Sequence, residues 1–424
     1  MGLNGYFILE HDIPEAPATR SGRFGEGFGV RTMGPGAAKS QQPPVKVSTA
    51  ELTAAEAATE RKRAGVRVVG RKMPIRLIAP LADPAAGGGA KGGAAKGGAA
   101  KGGGGAPPSW GVTATGADDS PFDGSGVTVA VLDTGIARDH PAFAGVDLLV
   151  RDFTDAAGKG EDTHGHGSHC AGTIFGRDVG GRRIGIAPGV GRALIGKVIP
   201  DEGGGDSGML FDALNWASGN GANIVSMSLG FDFPGMVEQL VQGDGLPQQL
   251  AVSNALVVFG QNLRAFDAIM AMFRASEPMG RNMLVVGAAG NESRHDAGAD
   301  YRISASLPSA AAGVISVAAY GRKGENFEMA PFSNGDALIA APGVDIVSAD
   351  IVGGLTMMSG TSQACPHIAG LAALYWQQIA FSGATPTPDK VREAMFAAAT
   401  LQNLPVEADE SVRGRGRALA PKGN

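Results

Sequence analysis

The chain has 424 residues with a net charge of −5, long enough for two or three domains or for one large α/β unit with an appendage. Two cysteines exclude a disulfide framework, and no apolar stretch of about 18 residues stands out as a membrane span. Residues 1–9 lack a basic start followed by a long apolar run, so the location expected by default is cytoplasmic, with leaderless export as the alternative.

In chain order, Tyr6-Phe7-Ile8-Leu9 reads as a strand, and Ser48-x-x-Glu51 opens a helix that stops at Gly65. Residues 66–69 and 75–78 read as two further strands, completing a small α+β segment over residues 1–84. Residues 85–108 follow as a linker: Ala-Lys-Gly-Gly-Ala recurs there, with Lys91, Lys96 and Lys101 five apart, and such a tract cannot bury a core. Charge divides across it, about +7 over residues 1–108 and −12 over the rest, so the two parts attract one another. The basic part lacks interleaved aromatics, and no nucleic-acid partner is expected.

Residues 127–132 are apolar and β-branched, a buried parallel strand whose carboxyl end carries Asp133, where α/β sheets gather their chemistry. An Asp-Thr-Gly also occurs in aspartic proteases, but those need a second carboxylate, and no second Asp-Thr-Gly exists here. His164, His166 and His169 form the next block. A zinc site would need further ligands beyond it, so no metal is assigned. Residues 283–290 read as a strand ending in small residues before Asn291. Ser362 lies in Ser359-Gly360-Thr361-Ser362, a turn feeding a long apolar helix that Pro366 places as starting near Gly360 or Thr361. An alcohol, an imidazole and a carboxylate make a nucleophile, its base and the group that orients the base. They occur in the order Asp, His, Ser.

On these motifs, together with Ala288-Ala289-Gly290-Asn291, the chain resembles the subtilisin-like serine proteases over about residues 109–424. The resemblance implies a three-layer α/β/α sandwich on a mainly parallel seven-stranded sheet, preceded by the small α+β segment. It makes Ser362 the nucleophile, His166 the base, Asp133 its orienter and Asn291 an oxyanion donor. It also aligns Ser228, Leu229 and Gly230 with one substrate-lining segment and Gly203, Gly204 and Gly205 with the opposing one. An extended peptide would enter between them as a strand. Ala289 and Gly290 would admit its backbone, and Ser306 would floor the first specificity pocket, with Glu292 at its mouth. The implied activity is serine endopeptidase, with peptide ligation or macrocyclisation as one alternative and a catalytically dead binding module as another. Residues 1–84 resemble the family's propeptides, an intramolecular inhibitor, and residues 231–282 form an insertion expected either to rim the groove or to thicken the core on the far side. No cofactor is required for this chemistry. At one calcium site of the family Ala142 replaces a carboxylate and residues 177–183 replace the loop, so calcium is not supported there. Cys170 and Cys365 are expected as buried free thiols, and peptides or proteins as the partners, with no membrane.

Overall fold

The computed structural model describes residues 4–11, 45–78, 106–155, 157–202, 204–277, 283–298, 301–405 and 408–423. The Gly/Ala/Lys tract over residues 85–105 and Gly203 lie outside the described residues.

The N-terminal unit pairs β1 (Asn4–His11) with β2 (Val45–Leu52) and with β3 (Val66–Arg71), all antiparallel, and carries α1 (Ala54–Glu60). Ser48 and Glu51, expected to open the helix, lie instead in β2. The capping box is Thr53 with Glu56, the same Ser/Thr-x-x-Glu spacing displaced by five residues. Residues 45–52 pair with β1 and alternate between two faces, Val47 packing on the peptidase core and Ala50 and Leu52 on the small N-terminal core. After β3 the chain continues into β4 (Pro74–Leu77), which leaves the N-terminal sheet altogether.

Beyond the linker come α2 (Trp110–Thr115), β5 (Thr128–Asp133), β6 (Asp147–Asp152), α3 (His166–Phe175) and β7 (Arg192–Lys197). There follow β8 (Gly205–Asp206), α4 (Ser207–Gly219), β9 (Ile224–Met227), β10 (Leu229–Phe231), α5 (Phe233–Glu238) and α6 (Gln248–Ala275). The last elements needed here are β11 (Leu284–Ala288), β12 (Val314–Lys323), β13 (Asn326–Met329), β14 (Ile339–Pro342), the β15 (Ile346–Ala349) and β16 (Leu355–Met358) hairpin, and α7 (Thr361–Phe381).

The main sheet runs β13-β12-β11-β9-β5-β7-β6, with β14 also alongside β12. Every pairing is parallel except β12 with β13. Seven parallel strands therefore form the expected sheet, and β13 adds one antiparallel strand. Both faces are buried, which explains the unbroken apolar runs: Val129 and Val131 point into the core with α3 and α7, while Ala130 and Leu132 point into the core with α4 and α6. The same period of two separates Ile195 from Leu194 and Val286 from Val285. Helices thus cover both faces in three layers.

The insertion places α6 in the core shared with α4. Among the described helices α6 is long and apolar enough to cross a membrane by length and composition, a correction to the sequence reading. It is nevertheless packed here against β3, with Ala255, Ala265, Phe266 and Ile269 buried. Its Gln261 Oε1 accepts from the Arg71 N–H at 3.1 Å, and the Asn262 amide donates to the Arg71 carbonyl at 2.9 Å. Among the described residues α6 thus packs both on the peptidase core and on β3, while α5 contacts β4.

Candidate active site

Asp133 ends β5, and the turn after it is held from several sides. The buried Lys197 ammonium donates to the Thr134 carbonyl at 2.7 Å, to the Glu161 carbonyl at 3.1 Å and to Asp201 at 2.6 Å. His166 opens α3, and its Nδ1 meets Asp133 Oδ1 at 2.8 Å with both side chains buried. A carboxylate here can only accept, so Nδ1 carries the proton and Nε2 is left as the basic nitrogen. The Gly135 turn and α3 pack so closely that a Cβ on Gly167 would collide with the Gly135 carbonyl, a physical reason for glycine after His166.

Asp162 was not singled out from sequence. Its Oδ1 accepts from the Thr134 hydroxyl and from the N–H groups of His164 and Gly165, and its Oδ2 accepts from the N–H and hydroxyl of Ser168. A carboxylate bonding the first turn of α3 fixes where His166 starts. The signal was available: an acid four residues before the histidine at the helix start.

Ser362 is the second residue of α7. The Thr361 N–H donates to Asn291 Oδ1, and the Gln363 and Ala364 N–H groups both go to the Gly360 carbonyl. Among the described residues the Ser362 N–H has no assigned acceptor. Thr361 also donates its hydroxyl to Asn291 Oδ1 at 2.9 Å. With Oδ1 fixed by a backbone donor, the orientation of the Asn291 amide is set and its Nδ2 is the opposite end. Pro366 lacks the N–H that would have bonded the Ser362 carbonyl. That carbonyl accepts instead from the Ser228 hydroxyl at 3.0 Å and sits 3.4 Å from Cys170 Sγ.

The groove is filled by the chain itself. β4 lies between β10 and β8, antiparallel to each, pairing Leu77 with Leu229, Arg76 with Gly230, and Ile75 with Gly205. These are the two segments expected to line a substrate, Gly203 aside. Ile75 is fully buried beside Gly205. Ile78 is also buried, over Gly230, where a Cβ would approach both its side chain and the Ser306 hydroxyl. The Ile78 N–H donates to the Ser228 carbonyl at 3.4 Å, and the Ser362 hydroxyl donates to the Ile78 carbonyl at 2.7 Å. Among the described residues no hydrogen bond joins Ser362 to His166, because the hydroxyl is turned to Ile78. Ala289 accepts from the Ser306 N–H at 3.3 Å, and Gly290 donates to the Thr361 hydroxyl at 3.1 Å. Asn334, also missed from sequence, bonds the N–H groups of Glu292 and Ser293 and the Glu292 carboxylate, and so holds the loop that presents Asn291.

Burial decides which neighbouring groups stay uncharged. It pushes the His169 imidazole down to about 3 and that of His367 down to about 4, so neither competes with His166 for a proton near neutrality. It raises the Cys170 thiol well above its usual value and Cys365 to about 11, and both remain unpaired as expected. Asp133, His166 and Cys170 have ligand atoms within 4.8 Å of one another, but a thiol held protonated is a poor metal ligand. The arrangement suits proton transfer from an alcohol to a fixed imidazole beside an ester or amide carbonyl.

Residues 124–416 match the model of the subtilase family, peptidase S8. The cuticle-degrading protease of Metarhizium anisopliae is 35% identical over 275 residues, 62% of this chain and 57% of that protein. The intracellular serine protease of Paenibacillus polymyxa is 32% identical over 299 residues, 69% of this chain and 78% of that one. Subtilisin Savinase of Lederbergia lenta is 33% identical over 278 residues, 63% and 84% of the two chains. The chain thus spans little more than half the length of several relatives it matches. The cytoplasmic default is corrected here: the relatives include a protease named as cuticle-degrading and others named as alkaline proteases, against one named intracellular, and a leader that is not legible says nothing against them. Asp133, His166, Asn291 and Ser362 all fall inside the matched stretch and β4 falls outside it, and the chain belongs to the subtilase family.

Proposed function

We propose that the chain is a serine endopeptidase whose groove is occupied by its own N-terminal segment. The observation that carries this is the Ile78 carbonyl 2.7 Å from the Ser362 hydroxyl, on a strand paired to both groove walls beside an Asp133–His166 pair at 2.8 Å. In the reaction, Ser362 Oγ adds to the carbonyl carbon and His166 Nε2 takes its proton. The Asn291 amide and the Ser362 N–H stabilise the negative oxygen. His166 then returns the proton to the departing amine as the C–N bond breaks, and Asp133 holds the imidazole through its charged state. Water attacks the resulting ester, again with His166 as base, and regenerates the alcohol.

The same geometry supports residues 4–78 acting as an intramolecular inhibitor. The strand pairing gives affinity without demanding sequence, and the buried side chains of Ile75 and Ile78 give it register. The bond after Ile78 is the one set against the nucleophile. Ligation and a dead binding role gain nothing from the arrangement or from the relatives.

No cofactor enters these steps. In the loop over residues 177–183 that replaces the family's calcium loop, Arg177 donates to the carbonyls of Phe175, Pro188 and Val190, and Arg183 to those of Ala117, Gly185 and Ile186. A fixed guanidinium on carbonyl oxygens supports stability there without a bound cation.

A fluorophosphonate probe tests the reading. It is expected to label Ser362 in the native chain and not in Ser362→Ala. Peptide hydrolysis is expected to fall by about 10⁶ in that variant. Failure to label the native chain after release of residues 4–78 would contradict the assignment.

A further inference from the structure

Ile75 and Ile78 are buried in pockets, but Arg76 between them is 45% exposed and is held by charge. One guanidinium nitrogen lies 2.9 Å from Glu292 Oε1 and the other 3.7 Å from Asp232 Oδ1. The two carboxylates come from separate segments of the chain. Glu292 follows Asn291 on the loop after β11, and Asp232 follows β10 at the start of the insertion.

Resting on the protease reading above, we infer that Glu292 and Asp232 select a basic residue, arginine before lysine, at the third position before the cleaved bond in substrates. Arg76 occupies that position in the chain's own strand. Neither acid is free to wander. Glu292 Oε2 accepts from the Asn334 amide at 2.7 Å and its N–H is held by Asn334 Oδ1 at 3.0 Å. Asp232 caps α5 through the Gly235 N–H at 3.0 Å, and its own N–H donates to the Pro74 carbonyl at 2.8 Å. Carboxylates positioned before the ligand arrives cost less ordering on binding. They are also spaced for a planar fork with two nitrogens, which a lysine ammonium cannot span. Arg294, the other cation lining this depression, turns one nitrogen to the Asn291 and Ser293 carbonyls.

The test uses the full chain and three fluorogenic peptides, Ile-X-Leu-Ile followed by a reporter, with X as Arg, Ala or Glu. The N-terminal segment competes equally with all three, so the ratios of kcat/KM do not depend on how much of the groove it occupies. Both pairs are solvent-facing, and each exposed pair contributes modestly. Arg is therefore expected to exceed Ala by about fivefold at low salt, with the ratio shrinking in high salt and Glu slower than Ala. Glu292→Gln should reduce the Arg/Ala ratio to about twofold, and Glu292→Arg should make Glu the better substrate. A fourth peptide with Lys at X should fall between Arg and Ala. Equal turnover of all three peptides, with no inversion in Glu292→Arg, would overturn the inference while leaving the protease reading intact. No hydrolysis of any of them would overturn that reading and this inference with it.

Discussion

The two sheets of the molecule bury their side chains in opposite ways. The main sheet is self-sufficient: its central parallel strands have a helix layer on both faces, and α3 and α7 bring His166 and Ser362 to the end of β5. The N-terminal sheet is not. Tyr6 and Ile8 point to its own small core with Ala57 and Val69. Phe7 and Leu9, one residue out of phase, are fully buried in the core of the peptidase unit. Phe7 sits edge-on to Phe211 with centroids 4.9 Å apart. Three strands and one short helix enclose too little apolar surface to stand alone, so this unit completes its core on α4 and α6. Docking that delivers β4 to the groove is thereby tied to the folding of the N-terminal unit.

That contrast can be broken most forcefully at Phe7. Phe7→Ala removes a buried ring from a shared core, a loss of about 3–5 kcal/mol. We expect it to undock residues 4–78, seen as faster early hydrolysis of a peptide and faster digestion of the segment by an added protease. Wild-type latency in this variant would mean that β4 holds the segment unaided.

Acid should act on the other region. His169 and His367 both lie in the peptidase unit and are held neutral by burial, at about 3 and about 4 against an ordinary 6.5. The unfolded chain therefore binds more protons than the folded one below about pH 6.5. Stability is undiminished above that pH and is lost as pH falls toward 4 and then 3. Melting temperatures of Ser362→Ala between pH 7 and 4 should follow this slope, and His367→Asn should flatten it. A flat profile in the parent would contradict it.

The smallest effect sharpens how charge contributes. Lys72 and Asp206 pair at 3.3 Å across the two units, joining Arg76 in the attraction anticipated from the opposite charges of the two parts. The pair is partly exposed, so Lys72→Ala should weaken docking by about 0.2–1 kcal/mol, read as a small rise in early hydrolysis that high salt imitates.

The legible parts of this molecule are those set by local spacing. Unbroken apolar runs announced the parallel strands, and the motif blocks announced Asp133, His166, Asn291 and Ser362, because close backbone approach demands small residues around each. The groove walls were legible as segments, yet their occupant was not: β4 was visible as a strand at residues 75–78, but nothing local says that it leaves its own sheet to pair with β10 and β8. Asp162 and Asn334 were missed because each acts through bonds to backbone groups distant in sequence or hidden in a turn. The partner of α6 was not legible for a related reason. Its amphipathic spacing promised a buried face but could not name the partner, which is β3.

The most direct test is the mass of the fragments that the purified chain releases from itself. The account predicts a break between Ile78 and Ala79 that proceeds at a rate independent of protein concentration at first and is absent in Ser362→Ala. A first break at any other bond, or the same break in Ser362→Ala, would contradict it.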